Sequence, residues 1–218
     1  ATTAQGDGTI TKRTLTVGTV AAQTKTYDGT TAADTSKFGA VLNNVVTGEE
    51  SSVAATATGA AYNDKNVAQA NAVSYTGVSL TGTGAANYSI ADTAQGTGTI
   101  TRKQLNLVLK DGARFDKTYD GNANVTQMLA KNGNYALAGF ITGEGAGIEL
   151  DSSTGAYVDK NAAEDKAVMF NGLSLTGTGA GNYALDKSTL TGKGTITPRA
   201  LTLGEVSAQT KTYDGTTA

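Results

Sequence analysis

LTGTGAANY at Leu80–Tyr88 returns as LTGTGAGNY at Leu175–Tyr183, an offset of 95 residues. YNDKN at Tyr62–Asn66 returns as YVDKN at Tyr157–Asn161, and VTGE at Val46–Glu49 as ITGE at Ile141–Glu144, both again 95 residues on. Two motifs occur three times. GTIT begins at Gly8, Gly98 and Gly194, and KTYDG stands at Lys25–Gly29, Lys117–Gly121 and Lys211–Gly215. Self-similarity at a fixed spacing marks a repeat architecture. A unit of about 93 residues is large enough for its own core, whereas solenoid repeats of roughly 20–45 residues are not. The motif order divides the chain into two full units, 12–101 and 102–197. Residues 1–11 read as the closing strand of a preceding repeat, and 198–218 as the opening segment of a following one. Small differences in offset place short insertions in loops, as around Asp111–Ala113.

Within a unit the signals are those of strands. Leu15 and Val17 alternate with Thr14 and Thr16, and Leu105, Leu107 and Leu109 repeat the pattern, as in a half-buried strand. Ile10, Ile100 and Ile196, set among Thr and Gly, read as short closing strands. Val73 and Tyr75 alternate, but Val78 and Leu80 are out of phase with them, and Val168, Phe170, Leu173 and Leu175 show the same slip. Gly77 and Gly172 sit at the phase changes, where a β-bulge would absorb the extra residue. One short helix per unit is expected, at Val125–Lys131 and more weakly at Asp34–Leu42. The fold class is therefore mainly β, α+β at most, with a small mixed sheet per unit. Only Arg102, Lys103 and Gln104 separate GTIT from the next apolar run, and no Gly/Ser linker intervenes. Consecutive units are expected end to end, as a semi-rigid rod.

Composition narrows the function. The chain has no His, Cys or Trp, which removes thiol nucleophiles, His-based triads and the usual zinc sites. A formal charge of −2 and the absence of a basic run argue against nucleic acid or an anionic membrane as partner. No apolar stretch approaches a membrane span. No catalytic residue and no cofactor is expected.

Each repeated motif has a structural and a ligand-binding reading. Tyr27-Asp28-Gly29, Tyr119-Asp120-Gly121 and Tyr213-Asp214-Gly215 read as a turn with a buried tyrosine anchor, or as a sugar-stacking platform beside a carboxylate. Tyr88 and Tyr183 likewise read as anchors entering a strand, or as stacking surfaces if exposed. Asp64 with Asn66, and Asp159 with Asn161, are weak calcium candidates, because the EF-hand spacing is not met. The lysine between each pair would suit an isopeptide bond only if buried. GTGAGN at Gly177–Asn182 is not a nucleotide loop, since it lacks the spacing and the following helix. The threonines alternate with core positions on many strands, so one flat ice-binding array is not implied.

KTYDGTTA, the later DKN, LTGTGAxNY and the closing GTIT before a basic residue together resemble the YDG repeat, grouped with the MBG ("mostly β-grasp") modules of large bacterial secreted adhesins. The resemblance covers nearly the whole chain. It implies tandem β-grasp-like domains forming a stalk, secreted to a bacterial surface or biofilm matrix, and it brings no catalytic residues. Partners on this reading are neighbouring repeats of the same chain. The incomplete terminal repeats have strand edges without partners, so they are expected to fray or to complement one another head to tail between molecules. The alternative is multivalent, weak binding of exopolysaccharide by each domain. Buried repeat tyrosines favour the stalk, and a row of exposed ones favours sugar binding.

Overall fold

The computed structural model describes residues 3–151 and 154–216. The first unit contains β1 (Arg13–Thr14), β2 (Thr16–Val20), β3 (Gln23–Thr26), β4 (Ala40–Asn43), β5 (Ala54–Thr56), β6 (Gly59–Tyr62), β7 (Ala72–Thr76), β8 (Ser79–Thr81), β9 (Tyr88–Ser89) and β10 (Thr93–Thr101). The second contains β11 (Lys103–Leu109), β12 (Lys117–Thr118), β13 (Tyr135–Ala138), β14 (Glu149–Leu150), β15 (Gly155–Tyr157), β16 (Ala163–Phe170), β17 (Leu175–Thr176), β18 (Tyr183–Leu185) and β19 (Leu190–Thr197).

The two units share one topology. A four-stranded mixed sheet has the order β3-β10-β7-β6 in the first and β12-β19-β16-β15 in the second. Its closing strand, β10 or β19, runs parallel to the KTYDG strand and antiparallel to the next. A second sheet has the order β13-β11-β18, and the pairs β1-β9 and β2-β4 are its counterpart in the first unit. A two-stranded ribbon, β5-β8 or β14-β17, completes each unit.

Alternation along these strands builds the core. Leu105 and Leu107 on β11 are fully buried, while Gln104, Asn106 and Val108, which alternate with them, are exposed. Val73, Tyr75 and Ile100 fill the first unit, and Val168, Phe170 and Ile196 take the same places in the second. Full burial of each such side chain is worth about 1.5–3 kcal/mol. Leu105 joins the core of the first unit and Leu107 that of the second, so one strand is stitched into both.

The structure is mainly β, with several mixed sheets and only three-residue 3₁₀ turns as helical elements among the described residues. The helix expected at 125–131 does not form. Val125 N–H donates to the Gly155 carbonyl at 2.9 Å. Asn134 accepts from Ala130 N–H at 2.8 Å and donates to the Met128 carbonyl at 3.0 Å. Ala130 N–H and the Met128 carbonyl, which a helix would pair internally, are thus taken by the Asn134 side chain. In the first unit Asp34 caps a 3₁₀ turn at Thr35–Lys37, and the chain then enters β4.

The expected bulges at Gly77 and Gly172 are also replaced. Both glycines have positive φ, 61° and 67°, but they end a strand. The residues before Gly77 pair with β10 and those after it with β5, so the phase slip is a change of partner sheet. The register shifts that do occur lie between Val17 and Val20 and between Ala163 and Lys166. Residues 3–12 and 198–216 are exposed and carry no strand, so GTIT at Gly8–Thr11 is not the closing strand its counterparts are. Leu201 and Leu203 are 93 % and 95 % exposed, where their counterparts Leu105 and Leu107 are at 0 %.

The LTGTGAxNY nonapeptide is a delivery device. Gly82 and Gly177 have φ of 104° and 106°, and a Cβ there would lie 2.3 Å from the Ser52 carbonyl oxygen and 1.8 Å from that of Gly147. The tight turn feeds a 3₁₀ turn, Ala85–Asn87 or Ala180–Asn182, which presents Asn and Tyr side by side. Gly177→Ala is expected to cost on the order of 2–4 kcal/mol, since a backbone clash and a left-handed φ combine. In the same loop a Cβ on Gly181 meets nothing within 4 Å, so Gly181→Ala should change stability by less than about 0.5 kcal/mol. Urea unfolding of the two variants measures the contrast.

Candidate functional site

KTYDG folds as a turn around its lysine. Lys25 Nζ donates to Asp28 Oδ1 at 2.8 Å and to the Thr30 and Ala32 carbonyls, each at 2.9 Å. Its ammonium lies 5.3 Å from the centre of the Tyr62 ring. Lys117 repeats this with Asp120 at 2.7 Å and the Asn122 and Asn124 carbonyls, each at 2.9 Å, over the Tyr157 ring. Asp28 closes the turn by accepting from Thr30 N–H at 2.9 Å, and Asp120 does so from Asn122 N–H at 3.1 Å. Burial raises the Asp28 carboxyl, but the Lys25 and Thr30 hydrogen bonds outweigh it and hold the group below its ordinary value. The Lys117 hydrogen bond does the same for Asp120. The third copy keeps the local turn, with Lys211 paired to Asp214 at 2.8 Å and Asp214 accepting from Thr216 N–H, although residues 198–216 form no strand. The turn is therefore a short-range device. Gly29, Gly121 and Gly215 supply its left-handed residue, with φ of 79–86°.

The turn carries its tyrosine to the boundary between the units. Tyr27 is 2 % exposed and belongs to a core cluster that takes in Leu105, Ile148 and Tyr183 of the second unit. Its hydroxyl donates to Glu144 Oε1 at 2.8 Å, and the Tyr183 hydroxyl donates to Oε2 of the same carboxylate. The two tyrosine rings meet edge to face at 5.4 Å, and Phe140 packs on Tyr183 in the same manner at 5.1 Å. Gly29 admits this approach, because a Cβ there would lie 3.3 Å from the Ile141 side chain.

A second contact lies beside the first. Asn182 Nδ2 donates to Asn66 Oδ1, and Asn182 Oδ1 accepts from Val67 N–H, both at 2.9 Å. Arg102, in the connecting segment, donates from Nε to the Gly181 carbonyl at 3.1 Å. Four of the five repeated motifs meet at this junction: YDG and DKN from the first unit, ITGE and LTGTGAGNY from the second.

The titration behaviour follows from the geometry. The Tyr183 hydrogen bond is the main cause that holds the Glu144 carboxyl below its ordinary value; burial opposes it, and Tyr27 and Lys65 reinforce it. Burial, then the hydrogen bond to Glu144, pushes Tyr183 up to about 12 and raises Tyr27 as well.

The sequence pattern of the two units is matched along most of the chain by the YDG domain profile, at residues 11–96 and again at 101–191. The chain belongs to the YDG domain family. No curated protein and no solved structure matches it.

The calcium candidates of the two YDG domains have other occupations. Asp64 Oδ1 accepts from Asn66 N–H at 2.7 Å and from its side-chain amide at 2.9 Å. Asp159 Oδ1 accepts from Asn161 N–H at 2.8 Å and from the buried Lys166 ammonium. No group of three or more acidic residues suited to a metal ion occurs among the described residues. Lys65 and Lys160 are exposed, unlike the buried lysine an isopeptide bond needs. Of the motif tyrosines, Tyr88 is buried at 3 %, Tyr183 at 2 % and Tyr213 is 92 % exposed. Tyr119 is half-buried. A cleft of about 310 Å³ beside the junction is lined by Arg102, Tyr183 and Lys187 and carries no acidic residue. No helix of the described residues is long and apolar enough to cross a membrane.

Sequence reasoning gave no role to Glu144, Asn182 or Glu49, although all three lie in repeated motifs. Their recurrence at one offset was the available signal, but only the fold shows that four motifs far apart in sequence converge. Asn66, read as a metal ligand, is a junction residue.

Two predictions follow from the shared carboxylate. Tyr27→Phe removes a hydrogen bond to a charged acceptor and is expected to cost about 1.5–3 kcal/mol. Tyr119→Phe, whose hydroxyl has no partner among the described residues, should cost less than about 0.5 kcal/mol. Denaturant titration of both variants checks the difference.

For pH, the carboxylate is held as the anion. Its contribution is complete above the ordinary glutamate value of 4.5 and is lost as pH falls through the lower folded-state value. The tyrosines are held neutral, so their contribution is complete below 10 and is lost as pH rises through about 12 for Tyr183. Thermal unfolding against pH should show this acid limb in the native chain and a shallower one in Glu144→Gln.

Proposed function

We propose that the two YDG domains are stalk repeats of a secreted bacterial surface or biofilm-matrix adhesin, β-grasp-like modules joined end to end as a rod that holds a distal binding region away from the cell. The role is mechanical and non-catalytic. The observation that carries this reading is the Glu144 carboxylate, which accepts from Tyr27 of one unit and Tyr183 of the next. It ties successive units directly, and Leu105 and Leu107 anchor the connecting strand in both cores. A link with a single residue, Arg102, between β10 and β11 leaves little slack for reorientation.

Exopolysaccharide binding by the repeat tyrosines has less support. Of nine tyrosines in the chain, seven are buried: Tyr27, Tyr62, Tyr75, Tyr88, Tyr135, Tyr157 and Tyr183. A ring packed at 1–4 % exposure presents no face to a sugar.

Small-angle scattering at neutral pH tests the stalk. The expected result is a rod-like distance distribution fitted by one fixed arrangement of the units, which broadens in Glu144→Ala. A native chain that already requires a wide ensemble of inter-unit angles would overturn the rod. Saturable binding to a polysaccharide panel, lost in Tyr119→Ala, would favour the carbohydrate reading instead.

A further inference from the structure

The chain holds two Asn-Gly pairs, Asn132-Gly133 and Asn171-Gly172, and the fold treats them differently. Asparagine is chemically labile. Its side-chain amide carbon can be attacked by the backbone nitrogen of the next residue, and glycine has no Cβ to block the approach. The attack needs open space around the glycine and an N–H that no acceptor holds, because a held N–H must first give up its hydrogen bond.

Asn132-Gly133 has neither. Gly133 N–H donates to the Ala130 carbonyl and Asn132 N–H to the Tyr135 carbonyl, both at 3.0 Å. The Lys110 ammonium donates to the Asn132 carbonyl. A Cβ on Gly133 would lie 3.1 Å from the Ala130 side chain and 3.2 Å from its carbonyl oxygen. Asn171-Gly172 has both. Among the described residues, neither the Asn171 side chain nor the Gly172 N–H has a hydrogen-bond partner. Both residues are exposed, and a Cβ on Gly172 meets nothing within 4 Å. The pair lies just after β16 ends at Phe170, where the chain passes to β17.

Docked units leave this position open. The first unit packs on the second, and Asn171 is exposed beside it. Its counterpart pair, Thr76-Gly77, is exposed too, although the second unit packs on the first. Threonine has no amide, so the first unit lacks the reactive group. The first two YDG motifs are Asp-Gly pairs, but Asp28 and Asp120 are carboxylates held by lysine at 2.8 and 2.7 Å, and a carboxylate anion is a poor electrophile.

We propose that Asn171 is a self-modification site, which deamidates in the folded chain and alters the second unit alone. The Gly172 nitrogen bonds to Asn171 Cγ, the Cγ–Nδ2 bond breaks, and ammonia leaves with the proton that Gly172 gives up through solvent. Water then opens the resulting cyclic imide. Opening at Cγ gives aspartate. Opening at the backbone carbonyl of residue 171 gives isoaspartate, which puts one extra carbon into the main chain. Both products gain a negative charge. Phe170 and Leu173 flank the pair and are 1 % and 5 % exposed, so the lengthened backbone is strung between two core anchors. Isoaspartate thus loosens the second unit, and the first has no equivalent change.

Peptide mapping by tandem mass spectrometry, after incubation of the full chain at mildly alkaline pH, tests the site against the same chain in urea. In the folded chain Asn171 should convert at least about tenfold faster than Asn132, and in urea the two rates should be comparable. The incubated chain should melt below the fresh one. Asn171→Asp, which adds the charge without lengthening the backbone, should melt with the fresh native chain. Asn171→Gln should keep its melting temperature through the incubation. An intact Asn171 in the folded chain, once the chain in urea has converted, overturns the proposal. So does equal conversion of Asn132 and Asn171 in the folded chain. A loss of melting temperature that persists in Asn171→Gln would assign the loosening to another residue and overturn the consequence drawn for the second unit. The stalk reading is independent of all these outcomes.

Discussion

One carboxylate shared by two tyrosines organises the molecule. Glu144 accepts from Tyr27 of the first unit and Tyr183 of the second. A half-buried anion needs hydrogen bonds to replace lost water, and neutral phenols supply them here, with the Lys65 charge as a smaller contribution. Both tyrosines bring a large apolar ring to the same place, so one arrangement supplies dry contact area and a polar constraint on direction. The Asn66–Asn182 pair adds a second, separate constraint. Two directional contacts and a strand embedded in both cores fix an orientation that apolar contact alone would leave free to slide.

The division of labour within a unit follows. The lysine-centred turn is local and forms even where no sheet supports it, as Lys211–Gly215 shows. The LTGTG turn needs close backbone approach, which glycine at 82 and 177 permits. Each device is built within its own unit and completed by a neighbouring one. For this reason the same sequence is buried at the junction and exposed away from it, as Asn182 and Asn87 illustrate.

Much of the architecture was legible in the sequence, because repeats and strand alternation are local or periodic signals. The offsets of LTGTGAxNY and KTYDG marked the units, and the alternation around Leu105 and Leu107 marked a strand. The misread elements depended on distant partners. Residues 125–131 have helical composition, but Gly155 and Asn134 take their backbone groups. Gly77 sits at a phase slip, but the slip is a handover between sheets that only the pairing with β10 and then β5 reveals. The candidate site was half legible. The tyrosine anchors were visible as residue types, whereas their target, Glu144, lies 117 residues from Tyr27 and carries no signal but its repetition.

The central claim is that the repeated motifs couple successive units energetically. Unfolding cooperativity tests it most directly. Differential scanning calorimetry of the native chain at neutral pH, with calorimetric and van't Hoff enthalpies compared, should give one transition for both units. The same measurement on the Glu144→Ala, Asn182→Ala double variant should give two transitions at separate temperatures. Two independent transitions in the native chain, or a single one unchanged in the double variant, would contradict the account.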